Sequence, residues 1–411
     1  MGSFLTALSG LSADTTALDV VGNNLANMNT QGFKSENILF EDAMNAASAS
    51  LQVGGGVANT LTSTSFTQGT LTATGQPLDA AVQGNGFFVV QDPTSGATEY
   101  TRDGSFSLNS QSQLVTSSGD LVQGWTAANG VVNPSGATSA ITVPLLTPIP
   151  PVATQNVSLS ANLDASAAVG DTFSAPIQVY DSLGNAQTLS VNFTNTAPGA
   201  WGYTVTLPSS AVTGGTGATT QLASGSISFN SSGVLTSPAA GAPVNITNTA
   251  ALADGAATLK INWNLYDASG NSDLTGFAQT SASSGSTQDG SAPGTVTGVA
   301  LANGGNLVAT YSNGAQQTLA QVALANVANP GSMIATSGNN FLLGPDSMTP
   351  AVGAAGTGGR GSVVSQSLEA SNVDMATQFT NLIVYQEGYD ANSKVLTTVN
   401  QMEQTLLAIN P

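Results

Sequence analysis

The fold class this sequence predicts is mainly β with α-helical termini: long N- and C-terminal coiled-coil-like helices carrying nested β-rich domains. Three observations predict it. Apolar residues recur at steps of three and four near both ends of the chain. Between them, short runs with an apolar period of two alternate with Gly, Pro and Asx turn signals. Only 7% of the 411 residues are charged, against about 25% in an ordinary soluble domain.

The first element spans 3–27. Phe4, Leu8, Leu11, Thr15, Leu18, Gly22 and Leu25 follow steps of four and three, the a/d spacing of a coiled coil, with Asp14 and Asp19 off the stripe. At the other end, within 374–409, Met375, Phe379, Leu382, Tyr389, Leu396, Val399, Met402, Leu406 and Ile409 recur at three, four or seven. Ser371 with Asp374 three residues on predicts a capping box at the start of this helix. Isolated helices draw most of their stability from packing, so both stripes predict a partner. Packing of one against the other within the chain is the plain reading. Their place at the extreme termini, where chains fray, favours a seam that orders on assembly.

Residues 35–70 read as a polar, poorly patterned connecting segment. The outer β domain is expected over 71–146 plus 284–362, with Gly84-Asn85-Gly86 turning into Phe87-Phe88-Val89-Val90. Pro144, Pro148, Pro150 and Pro151 mark a boundary. An inserted β domain is expected over 147–283, where Leu189, Val191 and Phe193 alternate with Ser190 and Asn192. Ser-rich Gln279–Thr287 reads as the return linker. The terminal helical domain comprises 1–34 plus 363–411.

Composition excludes several functions. The net charge is −18, and Lys34, Arg102, Lys260, Arg360 and Lys394 are the only cations, scattered along the chain. A nucleic acid or an anionic membrane demands clustered Lys and Arg. No run approaches the roughly 18 apolar residues of a spanning helix. No Lys or Arg precedes Lys34, so no basic n-region of a signal peptide is visible and export would need another route. Without Cys or His there are no disulfides, no thiolate metal sites and no His-based catalytic arrangement. Asp267-Ala268-Ser269-Gly270-Asn271-Ser272-Asp273 departs from the calcium-loop spacing and reads as an Asx turn. No catalytic, cofactor or metal residue is assigned, and the chain is expected not to be an enzyme.

Four motifs carry a resemblance. Ala26-Asn27-Met28-Asn29-Thr30-Gln31-Gly32-Phe33-Lys34 is similar to the A-N-x-N-T-x-G-F-K signature that ends the first helix of bacterial flagellar rod and hook proteins. Leu368-Glu369-Ala370-Ser371-Asn372-Val373-Asp374 resembles their entry to the last helix, and Tyr389-Asp390-Ala391-Asn392-Ser393-Lys394 a segment inside it. Val179-Tyr180-Asp181-Ser182-Leu183-Gly184-Asn185 resembles the inserted domain of the hook members, which the shorter rod members lack. Gln386-Glu387-Gly388 departs from the Gln-Arg-Ala frequent in the family, and Gly inside a helix costs about 1 kcal/mol relative to Ala. By turn chemistry Asn27, Asn29 and Gly32 are expected to end the helix, Phe33 to pack and Lys34 to be solvated.

The resemblance implies a structural subunit that polymerises into a curved tube joining rod to filament and transmitting torque as a universal joint. It implies export through the flagellar type III apparatus without a cleaved signal peptide, and location in the extracellular hook. Implied partners are further copies of the chain, a hook cap protein, the distal rod protein and the hook–filament junction protein, with no nucleic acid and no membrane insertion. The rivals are a distal rod or hook–filament junction protein and a secreted β-rich adhesin.

Overall fold

A computed structural model describes residues 2–45, 53–248 and 250–409. Two helices, α1 (Gly2–Ala26) and α2 (Met375–Ile409), stand at the ends, and strands fill the chain between them. The chain divides into two units. The first comprises Met1–Pro144, Gly298–Thr310 and Gln316–Pro411; the second comprises Leu145–Thr297 and Tyr311–Ala315.

In the first unit, α1 and α2 lie side by side and adjoin a long antiparallel hairpin of Glu36–Asn45 with Val53–Thr64. The segment expected to lack pattern therefore contains a regular ladder. Its outer β domain is a sheet running Asn306–Tyr311, Gln316–Val322, Leu121–Ala128, Phe87–Gln91, Thr98–Thr101, Asn340–Leu342. Phe88, Val90, Leu114, Val122, Leu307 and Val322 fill one core. Phe87, Tyr100, Trp125 and Phe341 form another, closed by Phe66 from the end of the hairpin.

The second unit has two five-stranded sheets. One is a meander of Thr172–Tyr180, Ala186–Ala197, Ala200–Pro208, Thr219–Phe229 and Leu235–Ser237. In the other, Asn156–Asn162 pairs with Lys260–Asn264, Leu274–Thr275 and Ala282–Gln288. Alternating inward residues of both sheets share one core around Ile177, Val191, Phe193, Trp201 and Trp263. The Ser-rich stretch expected to be a linker is thus mostly a strand, Ala282–Gln288. Asp181 is fully buried and accepts hydrogen bonds from the Leu183 and Asn185 amides and from Gln187 Nε2 at 2.9, 3.0 and 3.0 Å, so it holds a turn.

Asx turns set an expected pH profile. The Ser166 hydroxyl and amide hold the Asp164 carboxyl below its ordinary value, and the Asn271 amide and side chain do so for Asp267. A depressed carboxyl stabilises the fold above the unfolded value of 3.8, and that share is lost as pH falls through the folded value. Asp273, raised by burial and then by the charge of Asp267, runs the other way and offsets part of it. With no histidine in the chain, thermal stability is expected to be flat from about pH 5 to 8 and to fall at more acid pH. Calorimetry across that range checks this, and a maximum below pH 4 would contradict it.

Candidate assembly interface

The helical ends meet the outer β domain at one buried carboxylate. Glu369, 1% exposed, closes the strand Ser367–Glu369 just before α2. Its Oε1 accepts from Lys34 Nζ at 2.6 Å and from the Gly69 amide at 2.8 Å, and its Oε2 accepts from Arg102 Nη1 at 3.1 Å. Lys34 Nζ also donates to the Thr67 carbonyl, and Arg102 Nη2 donates to the Gly84 carbonyl. The guanidinium lies 5.1 Å from the centre of the Phe87 ring. Four segments converge here: the exit of α1, the end of the hairpin, the outer sheet and the entry to α2. Burial pushes the Lys34 ammonium below its ordinary value, opposed by the hydrogen bond and charge of Glu369. Arg102 is lowered for the same reason. Lys34, expected to be solvated, is 2% exposed. A charge can be buried there because Glu369 and a carbonyl receive it.

The neighbouring motif residues lock the same junction. Gly32 has φ +67°, and a Cβ there would come within 2.7 Å of the Arg102–Asp103 backbone. Only glycine fits both the left-handed turn and that approach. Its amide donates to the Glu369 carbonyl at 2.7 Å. Asn27 caps locally, donating to Asn23 and accepting from Thr30 Oγ1, while Ala26 and Asn29 are exposed and Phe33 is half-buried. Asn372 Oδ1 accepts from the Ser35 amide, and its Nδ2 donates to the Ser65 carbonyl. Asn24 bonds both backbone groups of Glu36, like an extra strand residue, and also donates to Gln378. The cap of α2 differs from expectation. Asp374 itself takes the Thr377 amide at 2.7 Å, whereas Ser371 accepts from Val373 outside the helix. The capping oxygen belongs directly before the first helical residue, one turn later than the expected box.

The helices pair antiparallel, with Asn24 opposite Gln378 and Asp14 opposite Asn392. The buried face of α1 is Ala7, Ala13, Ala17, Val20, Val21 and Asn24. Gly10 faces Asn392 and Gly388 faces the Asp14 carboxylate. Asn392 Nδ2 donates to Asp14 Oδ2 at 2.9 Å. Small residues let the two backbones approach, and two polar contacts, Asn24–Gln378 and Asp14–Asn392, fix their register.

Known proteins match along the whole chain. Residues 4–34 match the family described as flagella basal body rod protein, and 81–162 the flagellar hook protein FlgE/F/G D1 domain. Residues 149–291 match the flagellar basal body protein FlaE D2 domain, and 364–409 the flagellar basal body rod FlgEFG protein C-terminal. The flagellar hook protein FlgE of Salmonella typhimurium is 34% identical over 98% of this chain and 99% of its own. The chain belongs to the flagellar hook protein family. The flagellar hook proteins FlgE of Escherichia coli and of Treponema pallidum are 32% and 31% identical, over 98% and 100% of this chain and 99% of each of theirs. A solved structure, the Helicobacter pylori flagellar hook protein FlgE2, is similar at TM-score 0.49 and 13% identity, covering 71% of this chain and 98% of its own. By this membership the molecule is a structural subunit of the hook. Among the described residues no helix is long and apolar enough to cross a membrane.

In a single hook subunit the expected stripes are not the buried faces. The intrachain seam of α1 lies one position earlier, on small residues. Leu8 remains 44% exposed, and Phe4, Leu11, Leu18 and Leu25 are half-buried. On α2, Met375, Phe379, Tyr389 and Met402 are exposed, Leu382 and Leu396 half-buried, and only Val399 among them buried. The side chains of Leu406 and Ile409 lie outside the described residues. Lys394 is exposed. Sequence reasoning missed Asn24, Arg102 and the role of Glu369. The available signal was scarcity: Arg102 is one of only five cations in 411 residues.

Gly388 acquires a reason here. A Cβ at this position would lie 3.1 Å from both Asp14 carboxylate oxygens. Gly388→Ala is expected to gain less than the roughly 1 kcal/mol of helix propensity, and the full gain is expected only in an Asp14→Ala background. Chemical denaturation of the four variants measures this coupling. Equal gains in both backgrounds would remove the steric account.

Proposed function

We propose that this hook subunit polymerises through α1 and α2 into a curved, flexible tube that joins rod to filament and transmits torque as a universal joint. The observation that carries the reading is the partition of side chains on the helices. Small and polar groups pack within the chain, while Leu5, Leu8, Phe379, Ile383, Val384, Tyr389, Val395 and Met402 stay 38–61% exposed. An apolar surface of this extent on paired helices calls for a partner. The hairpin adds Leu39, Phe40 and Leu61. Head-to-tail contacts that do not close build a helical filament. The stripes Phe4, Leu8, Leu11, Leu18, Leu25, Phe379, Leu382, Tyr389, Leu396, Val399, Met402, Leu406 and Ile409 supply the polymer interface in this reading. The cap protein, the distal rod protein, the hook–filament junction protein and the type III export apparatus are its further partners, and it performs no catalysis. With 7% charged residues, few ion pairs would pin neighbouring outer domains, so they slide as the tube bends.

Electron microscopy of the purified chain beside a copy lacking residues 1–26 and 375–411 tests this. That copy keeps Lys34 and Glu369. Curved tubes from the full chain and none from the shortened one are expected. Straight rods would favour the distal rod reading, and a protease-resistant monomer with no polymer would favour the adhesin reading.

A further inference from the structure

Charge on the two helices is sparse and one-sided. α1 carries Asp14 and Asp19 and no cation, and α2 carries Glu387, Asp390, Glu403 and a single cation, Lys394. Asp14 is engaged within the chain by Asn392. Asp19 and Lys394 are both exposed. With 3.6 residues per turn, Asp19 stands across α1 from the buried Ala17, Val21 and Asn24. Lys394, two residues past Asn392, stands likewise across α2 from the seam. The antiparallel register places Asp19 level with the region of Tyr385, about 14 Å along the axis from Lys394 at about 1.5 Å per residue. The two charges therefore cannot meet within one chain. Among the described residues, both ion pairs belong to Glu369, so neither charge is matched.

We propose that Lys394 of one copy pairs with Asp19 of a second copy, and that this contact sets the axial register between subunits. The inference rests on the polymer reading above. Charge complementarity favours an α1–α2 contact: an α1–α1 contact would oppose Asp19 to itself, an α2–α2 contact would set Glu387 and Asp390 of both copies against one another, and Asp19 meeting α2 finds the single cation of the two helices. An exposed pair adds little raw affinity, but a like-charge juxtaposition is strongly disfavoured, which gives specificity. In a polymer the pair recurs at every subunit, so its effect is read directly in the concentration at which tubes form.

The test uses the full chain. Lys394→Glu and Asp19→Lys are each expected to raise the critical concentration for tubes, measured by sedimentation at low salt, at least about tenfold. The double variant Asp19→Lys/Lys394→Glu is expected to return to within about threefold of the parent. Circular dichroism melting of each monomer guards against misfolding. Because the chain has no cysteine, mixtures of Asp19→Cys and Lys394→Cys copies treated with a short bismaleimide give a second readout. Cross-linked dimers are expected only under polymerising conditions and only in the mixture. Singles that assemble like the parent, a double variant that stays defective, or tubes without cross-links would each overturn the pairing. A parent chain that never assembles would instead overturn the polymer reading, and this inference with it.

Discussion

Removing the Glu369 carboxylate is expected to destabilise the first unit by about 3–5 kcal/mol, among the largest effects of any single substitution in the chain. The expectation does not rest on a large net worth of the ion pairs. Burying Lys34, Arg102 and Glu369 together carries desolvation penalties that the mutual attraction only roughly offsets. Glu369→Ala leaves the other two groups buried as like charges, with the Gly69 amide also lacking its acceptor. Lys34→Met should cost less, because Glu369 keeps Arg102 and Gly69 and the methionine occupies the space of the buried lysine stem. The tryptophans make the measurement selective: Trp125 belongs to the first unit, and Trp201 and Trp263 to the second. In a Trp201→Phe/Trp263→Phe background, fluorescence-monitored urea unfolding reports Trp125 alone. A loss below about 1 kcal/mol for Glu369→Ala would mean water already reaches the site.

The ends of this molecule were legible in the sequence because helices repeat at a spacing that side-chain type records. The meander strands were legible for a similar reason, since Leu189, Val191 and Phe193 alternate against a core. Both strands of the hairpin, Glu36–Asn45 and Val53–Thr64, and the strand Ala282–Gln288 escaped notice because their side chains carry no clean period of this kind. Ala282–Gln288 is exposed on nearly every residue and is a strand by its backbone pairing with Asn156–Asn162. Val53–Thr64, with three successive glycines, is held by its ladder to Glu36–Asn45. The family motif was visible as a string, but its purpose was not. Lys34 and Glu369 are separated by most of the chain, and only the fold brings them to 2.6 Å. The intrachain seam, one position off the apolar stripe, was not legible because large apolar residues dominate any periodicity count. Helices that approach closely do so through alanine and glycine, which such a count discounts.

Loss of assembly without loss of folding is expected when Leu8, Phe379 and Ile383 are changed together to Asn. These side chains are 44%, 48% and 61% exposed in the single subunit, so the monomer should lose no more than about 0.5 kcal/mol per site. Full burial of such a side chain is worth about 1.5–3 kcal/mol, and roughly half of that remains to be gained on contact with another copy. Three sites then supply about 3 kcal/mol per added subunit, which raises the critical concentration about a hundredfold. Ala17→Asn is the informative contrast. Ala17 is fully buried between the helices, so a larger polar group there should unfold the pair in the monomer itself. Sedimentation and thermal melting of both variants separate the two faces. A triple variant that melts as early as Ala17→Asn would place the exposed stripe inside the monomer after all. The opposite pattern has a structural consequence. A subunit that packs its small residues internally and leaves its large ones outside would fold alone and still offer a second copy an apolar surface.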